Sequence, residues 1–255
     1  SWIALNKNSG ELVGEDGSGA SENALHAAWS SLTYGKINKK EILIWGGTDG
    51  FCYGYENKTV KDADGYDLFE PLWKVDCNEP NYRKDKEGKK IPYATPPGPS
   101  ELIGTPVLYE GKVYCAIGQD PEHGDGVGRL SCMDAETGKV IWKYTDVGRT
   151  ISTVSIADDL VYIAEYAGII HCLDANSGKV YWTHDSFSRI WGSTLVVDGK
   201  LILGNEDGDL LVMNHGKTKP KVKTVSMGAP VYSSPVVSNG VLYVGTQTHL
   251  YAIGK

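Results

Sequence analysis

The chain has 255 residues with 31 glycines, 15 tyrosines, seven tryptophans and a formal net charge of −7. Plentiful glycine and aromatics, without long Ala/Leu/Glu/Lys runs, favour short strands and tight turns over helices. The acidic balance argues against a nucleic-acid backbone or an anionic membrane surface as the main partner, and no apolar run reaches the roughly 18 residues of a membrane-spanning helix.

The chain opens in mid-pattern. Residues 5–12 are a degenerate copy of an element that appears in full later, (Leu/Met)-Asp-Ala-x-(Thr/Ser)-Gly-Lys-x-x-Trp. No signal peptide precedes it, so an upstream portion is expected to be missing. A second unit starts at Trp29 and runs through residues 41–46 and 51–55 to Leu72-Trp73-Lys74-Val75, interrupted by an insertion at 56–71. Residues 78–100, rich in Lys, Pro, Gly and charge, read as a second surface insertion, because the repeat resumes in phase beyond them.

From there the period is plain. Cys132-Met133-Asp134-Ala135-Glu136-Thr137-Gly138-Lys139-Val140-Ile141-Trp142 returns forty residues later as Cys172-Leu173-Asp174-Ala175-Asn176-Ser177-Gly178-Lys179-Val180-Tyr181-Trp182. A period of about 40 to 45 residues signals propeller blades or solenoid units. Each unit holds four short apolar segments separated by turns such as Asp198-Gly199 and Asn239-Gly240, both strong hairpin signals. Four antiparallel strands per unit make a propeller blade. The expected fold is all-β: one β-propeller domain over 1–255, about five and a half blades of a seven- or eight-bladed parent, with loop insertions at 56–71 and 78–100. Ser31, Thr105, Thr153, Ser193 and Ser234 begin the first strand of successive units, where blades converge and only small side chains fit. Trp73, Trp142 and Trp182 lie on the outermost strands, placed to bridge one blade to the glycine of the next repeat.

Five cysteines cannot all pair. The hairpin register sets Cys115 opposite Ser131, so Cys115 and Cys132 point to opposite faces. All five read as small buried hydrophobes.

The Asp-Ala-x-Thr-Gly-Lys-x-x-Trp element resembles the tryptophan-docking repeat of PQQ-type β-propellers, and the resemblance covers essentially the whole chain. That superfamily holds quinoprotein dehydrogenases and also non-catalytic members, such as the outer-membrane assembly lipoprotein that binds proteins. The chain looks most similar to secreted PQQ-like repeat proteins of planctomycetes and related bacteria, through residues 118–124, 191–195 and 246–252. The resemblance implies a periplasmic or secreted location.

With the repeat as a ruler, Ala27, Glu101, Arg149, Arg189 and Pro230 fall four positions before the hydroxyl residues, and Trp29, Ile103, Ile151, Trp191 and Tyr232 two before. These should form two rings at one channel mouth. Arg149, Arg189, Trp191, Glu101, Trp29 and Tyr232 are therefore the candidate cofactor-binding residues, since arginine suits bidentate carboxylate binding and tryptophan suits stacking. PQQ, a tricarboxylate, would fit; the plainer reading pairs the arginines with Glu101, Asp146 or Asp185. The chain has no vicinal Cys-Cys pair of the kind the resemblance associates with the cofactor, and no motif places a calcium-ligand set or a catalytic aspartate.

Residues 205–209 resemble an acidic calcium loop but match the ordinary hairpin of the repeat. The hairpin 119–129, carrying Asp120, Glu122, His123 and Asp125, reads as a solvated loop, and His171 and His249 as structural residues. No metal site and no catalytic residue is expected. The sequence thus points to a non-catalytic binding or scaffold module in a protein assembly, with no cofactor. Its partner would be a protein, or the missing N-terminal blades, at the open propeller edge. The alternative is a PQQ- and Ca2+-dependent quinoprotein oxidoreductase, and a fainter one a carbohydrate-binding propeller using Trp29, Trp191 and Tyr232.

Overall fold

A computed structural model describes residues 1–254. They form two compact units, residues 1–141 and 142–254. Alternation of buried and exposed positions and frequent turn residues break each into short strands. The first unit holds β1 (Ile3–Leu5), β2 (Leu12–Asp16), β3 (Thr33–Ile37), β4 (Lys40–Gly46), β5 (Phe51–Glu56) and β6 (Val60–Lys61). It continues with β7 (Asp67–Phe69), β8 (Pro71–Asp76), β9 (Val107–Tyr109), β10 (Lys112–Ile117), β11 (Arg129–Asp134) and β12 (Val140–Tyr144), the last running on into the second unit. The sheet orders are β1-β2-β7-β6, β3-β4-β5-β8 and β12-β11-β10-β9.

The second unit repeats the last of these patterns. Its strands are β13 (Ser155–Ala157), β14 (Leu160–Ala164), β15 (Ile169–Asp174), β16 (Val180–Asp185), β17 (Leu195–Val197) and β18 (Lys200–Gly204). They continue with β19 (Asp209–Asn214), β20 (Val222–Ser226), β21 (Val236–Ser238), β22 (Val241–Gly245) and β23 (Leu250–Ile253). They form two four-stranded meanders and a three-stranded one. The described residues are thus nearly all β, in the four-stranded blades of a β-propeller.

One stretch departs from expectation. Residues 56–71, expected as a loop insertion, carry β6 and β7, which complete the sheet begun by β1 and β2. There β2 pairs with β7 in parallel, Glu15 opposite Leu68 and Asp16 opposite Phe69. Residues 78–100 hold one helical turn, Pro80–Arg83, and no strand.

Neighbouring blades within each unit are joined at two places. At the first strands, the Ser31 amide donates to Thr105 Oγ1 at 3.2 Å. In the second unit the Thr153 amide donates to Ser193 Oγ at 2.9 Å and the Ser193 amide to Ser234 Oγ at 2.7 Å. The hydroxyls are small, and they also satisfy main-chain donors that no strand ladder reaches. At the outer strands, the one buried position of β8 is Trp73. Its indole Nε1 donates to Ala135 O at 3.1 Å. A Cβ on Gly54 would stand 2.2 Å from one edge of that ring, and a Cβ on Gly138 would stand 2.8 Å from the other. In the second unit Trp142 donates to Ala175 O and Trp182 to Gly216 O, at 2.9 and 3.0 Å.

The core between the second and third sheets gathers Ile42, Ile44, Trp73, Leu102, Val113 and Met133 with three cysteines, Cys52, Cys77 and Cys115. All five cysteines are free and buried. Cys115 faces Ser131 across the ladder, and Cys132 faces Tyr114. Cys77 Sγ lies 3.6 Å from Cys115 Sγ, well beyond the about 2.05 Å of a disulfide. Burial pushes the thiols of Cys132 and Cys172 each up to about 11.

Three outcomes follow for the folded protein. Trp73→Ala should cost about 3–5 kcal/mol in urea unfolding, through lost burial and a cavity between two sheets. Gly138→Ala should cost at least about 1–2 kcal/mol, because its φ of +72° disfavours a side chain and the new methyl meets the indole. A thiol reagent at neutral pH should leave the native protein unlabelled while modifying five cysteines in denaturant; rapid native labelling of several thiols would contradict this packing.

Candidate functional site

In the second unit Arg149, Arg189 and Pro230 are equivalent for a main-chain reason. The carbonyl of each accepts an amide from the hairpin joining the second and third strands of its own blade. The donors are Tyr166, Glu206 and Gln247, at 2.9, 2.8 and 2.8 Å. This fixes the backbone four residues before each hydroxyl and sets the hairpin side chain beside it. Four of the six candidate residues meet around Tyr166 in consequence.

Tyr166 is buried. The Arg149 guanidinium lies over its ring at 4.5 Å, and that of Arg189 at 5.6 Å. Trp191 meets the same ring edge-on at 5.1 Å, and Tyr232 meets Trp191 edge-on at 5.6 Å. Glu206 completes the group: its Oε2 is 3.8 Å from Arg189 Nη1 and accepts a long hydrogen bond, 3.5 Å, from Trp191 Nε1. The pairing expected for Arg189 with Glu101, Asp146 or Asp185 is thus replaced by one with Glu206, because the carbonyl of Arg189 is bonded to the Glu206 amide. The Arg189 side chain and Tyr232 stay largely exposed. Two guanidiniums, one carboxylate and three rings make a surface for carboxylates and planar or apolar groups.

Behind this surface, Glu165 Oε1 and His171 Nε2 are 2.7 Å apart, and the other nitrogen of His171 meets the Tyr144 hydroxyl at 3.2 Å. Glu165 and His171 are both buried, so His171 is packed as expected, while His249 is exposed. Residues 205–209 form the β18–β19 hairpin, with Asn205 Oδ1 accepting the Asp209 amide.

Glu101 and Trp29 lie in the first unit, with each other. Glu101 is bridged to Gly118 by two main-chain hydrogen bonds of 2.9 Å. Its Oε1 accepts from the Tyr93 hydroxyl at 3.2 Å, and its other oxygen is buried without a partner. Burial pushes its carboxyl up to about 7, against the downward pull of the hydrogen bond from Tyr93. Trp29 is half exposed, 6.3 Å from the ring of His26.

Tyr166, Glu206, Tyr93 and His26 were absent from the sequence-based set. Tyr166 and Glu206 each stand two residues past the second strand of their blade, a position the repeat marks as clearly as it marks the arginines. Tyr93 and His26 lie in segments without a period.

The Glu101 carboxyl makes stability depend on pH. Its folded-state value lies above the ordinary glutamate value, so its stabilising contribution is full below about pH 4.5 and is lost as pH rises through about 7. Denaturant unfolding should lose on the order of 2 kcal/mol between pH 5 and 8 on this account, and Glu101→Gln should remove that dependence.

The solved structures that the chain resembles share its fold. BamB from Moraxella catarrhalis superposes with a TM-score of 0.69 at 14% identity, over 98% of this chain and 65% of that one. A chain of the mitotic checkpoint complex gives 0.60 at 12% identity, over 88% of this chain and 61% of that one. The computationally designed Ika8 protein also gives 0.60 at 12% identity, over 98% and 70%. The chain therefore spans about two thirds of the length of BamB. No curated protein sequence matches it. The model of one PQQ-repeat family, described as outer membrane protein assembly factor BamB, matches residues 70–253, and the chain belongs to that family.

Proposed function

We propose that the chain is a non-catalytic binding module of an extracytoplasmic protein assembly, working in the periplasm or as a secreted protein. The observation that carries this reading is the surface around Tyr166. Arginine, tryptophan and tyrosine are the residues that dominate protein–protein hot spots, and they do so where a rigid scaffold presents them. Here the scaffold is rigid because Arg149, Arg189 and Pro230 are each tied by the carbonyl to their own blade. Trp191 and Tyr232 offer an apolar floor, and Arg149 and Arg189 offer charge to a partner segment bearing carboxylates. Family membership supports the same reading, since its description is that of an assembly factor.

The same two guanidiniums and the Trp191 ring would also suit a planar tricarboxylate. PQQ with Ca2+ is therefore the reading to exclude by experiment.

The test is a photo-crosslinking residue at position 232, in the full chain expressed in its native source. One defined protein adduct is expected, identified by mass spectrometry. Arg189→Glu or Trp191→Ala should weaken binding of that partner by about 2 kcal/mol, roughly 30-fold. Titration of the purified protein with PQQ and Ca2+ should leave tryptophan fluorescence unchanged. Stoichiometric, Ca2+-dependent PQQ binding that is lost in Arg149→Ala and Arg189→Ala would overturn the proposal and favour a quinoprotein oxidoreductase.

A further inference from the structure

The long β10–β11 hairpin, expected as a solvated loop, meets a residue from far upstream. Asp120 caps the short 3-10 turn Pro121–His123, its Oδ1 accepting the Glu122 amide at 2.9 Å. Its Oδ2 lies 3.4 Å from Nδ1 of His123 and 3.3 Å from Nε2 of His26. One donor atom from each of the three residues can be chosen so that all lie within 4.8 Å of one another. The imidazole rings are 4.2 Å apart between centroids.

These distances have a simple meaning. Bonds of about 2.0–2.1 Å from a tetrahedral ion to nitrogen and oxygen ligands set neighbouring ligand atoms about 3.3–3.4 Å apart, the edge of the tetrahedron. Both contacts of Asp120 have that length. They are too long and poorly directed to serve the protein alone: Nδ1 of His123 is buried and makes no hydrogen bond. A cation between the three atoms would satisfy it and neutralise Asp120 together.

The surroundings hold the three side chains in place. The carbonyl of His123 accepts from the side-chain amide of Gln119, which is buried. Tyr93 stacks on His26 with the rings 15° from parallel and 5.9 Å apart, and its hydroxyl is anchored on Glu101. Side-chain exposures of 31% for His26 and 39% for His123 leave one side of the group facing solvent.

We infer that His26, Asp120 and His123 form a site for one divalent transition-metal ion of the zinc class, with a coordination position open to solvent. Two imidazoles and one carboxylate suit Zn2+, Co2+, Ni2+ or Cu2+, whereas Ca2+ and Mg2+ require oxygen-rich shells. The ion cross-links the segment preceding β3 to the β10–β11 hairpin, both outside the repeat. An open fourth position is also what a metal that binds an external ligand or a water requires.

The experiment uses the full chain, stripped with a chelator, and Co2+ as the probe. Visible absorption should report saturable uptake of one equivalent, with Zn2+ displacing the Co2+. His26→Ala and His123→Ala should each weaken uptake by at least about 100-fold, the upper end of what loss of even an outer-sphere partner costs. Asp125→Asn on the same hairpin and His249→Ala in the second unit should leave it unchanged. His26→Gln, which keeps the length and polarity of the side chain, serves if an alanine variant misfolds by circular dichroism. Absence of saturable uptake at micromolar Co2+, or uptake indifferent to His26→Gln and His123→Ala together, would overturn the site.

Discussion

A sheet of four strands, each two to seven residues long, cannot bury both of its faces by itself. What closes the second face here is an indole laid on a glycine. Trp73 is held between Gly54 of its own sheet and Gly138 of the next, with its nitrogen on the carbonyl of Ala135. A side chain at either glycine would push the ring out. Gly138 carries a second duty, because its φ of +72° also makes the turn between β11 and β12. One residue type thus meets a turn requirement and a packing requirement at once, and the Gly-Lys-x-x-Trp spacing registers both sides of the contact.

The inner ends of the blades obey a different constraint. Alanine would fit where Ser193 and Ser234 sit but would remove the hydroxyls that accept from the amides of Thr153 and Ser193. Hydroxyls at these positions therefore lock one blade to the next through side chain and main chain. The residues just before them inherit that rigidity without taking part in it. Their side chains, Arg189 and Trp191 among them, lie outside that main-chain bonding.

What was legible in the sequence follows from the same division. Period-driven features, such as the hairpins at Asp198-Gly199 and Asn239-Gly240 and the opposition of Cys115 to Ser131, are local or nearly so, and the structure has them where the pattern put them. The strands β6 and β7 were hidden because two or three residues show no alternation, and because β7 pairs in parallel with a strand some fifty residues earlier. The partner of Arg189 was hidden for another reason. Glu206 looked like part of an acidic hairpin, and only the main-chain bond between their backbones reveals that hairpin and rim are one site. His26 gave no signal at all, since it stands in a stretch with neither period nor motif.

The two candidate sites differ in how they depend on the scaffold. The Tyr166 surface is built from positions that recur from blade to blade, set by main-chain bonds rather than by the side chains they carry. The His26–Asp120–His123 group is built from segments that interrupt the repeat, and nothing in the blade geometry demands that they approach. Side chains make the contacts around them: Tyr93 stacks on His26 with Glu101 beneath it, and Gln119 holds the backbone of His123 within its hairpin. Such an arrangement orders two loops at an entropic cost of about 1–2 kcal/mol for each residue fixed. A bound cation bridging the three donor atoms is an interaction of the size that can offset it, and the repeat itself supplies none.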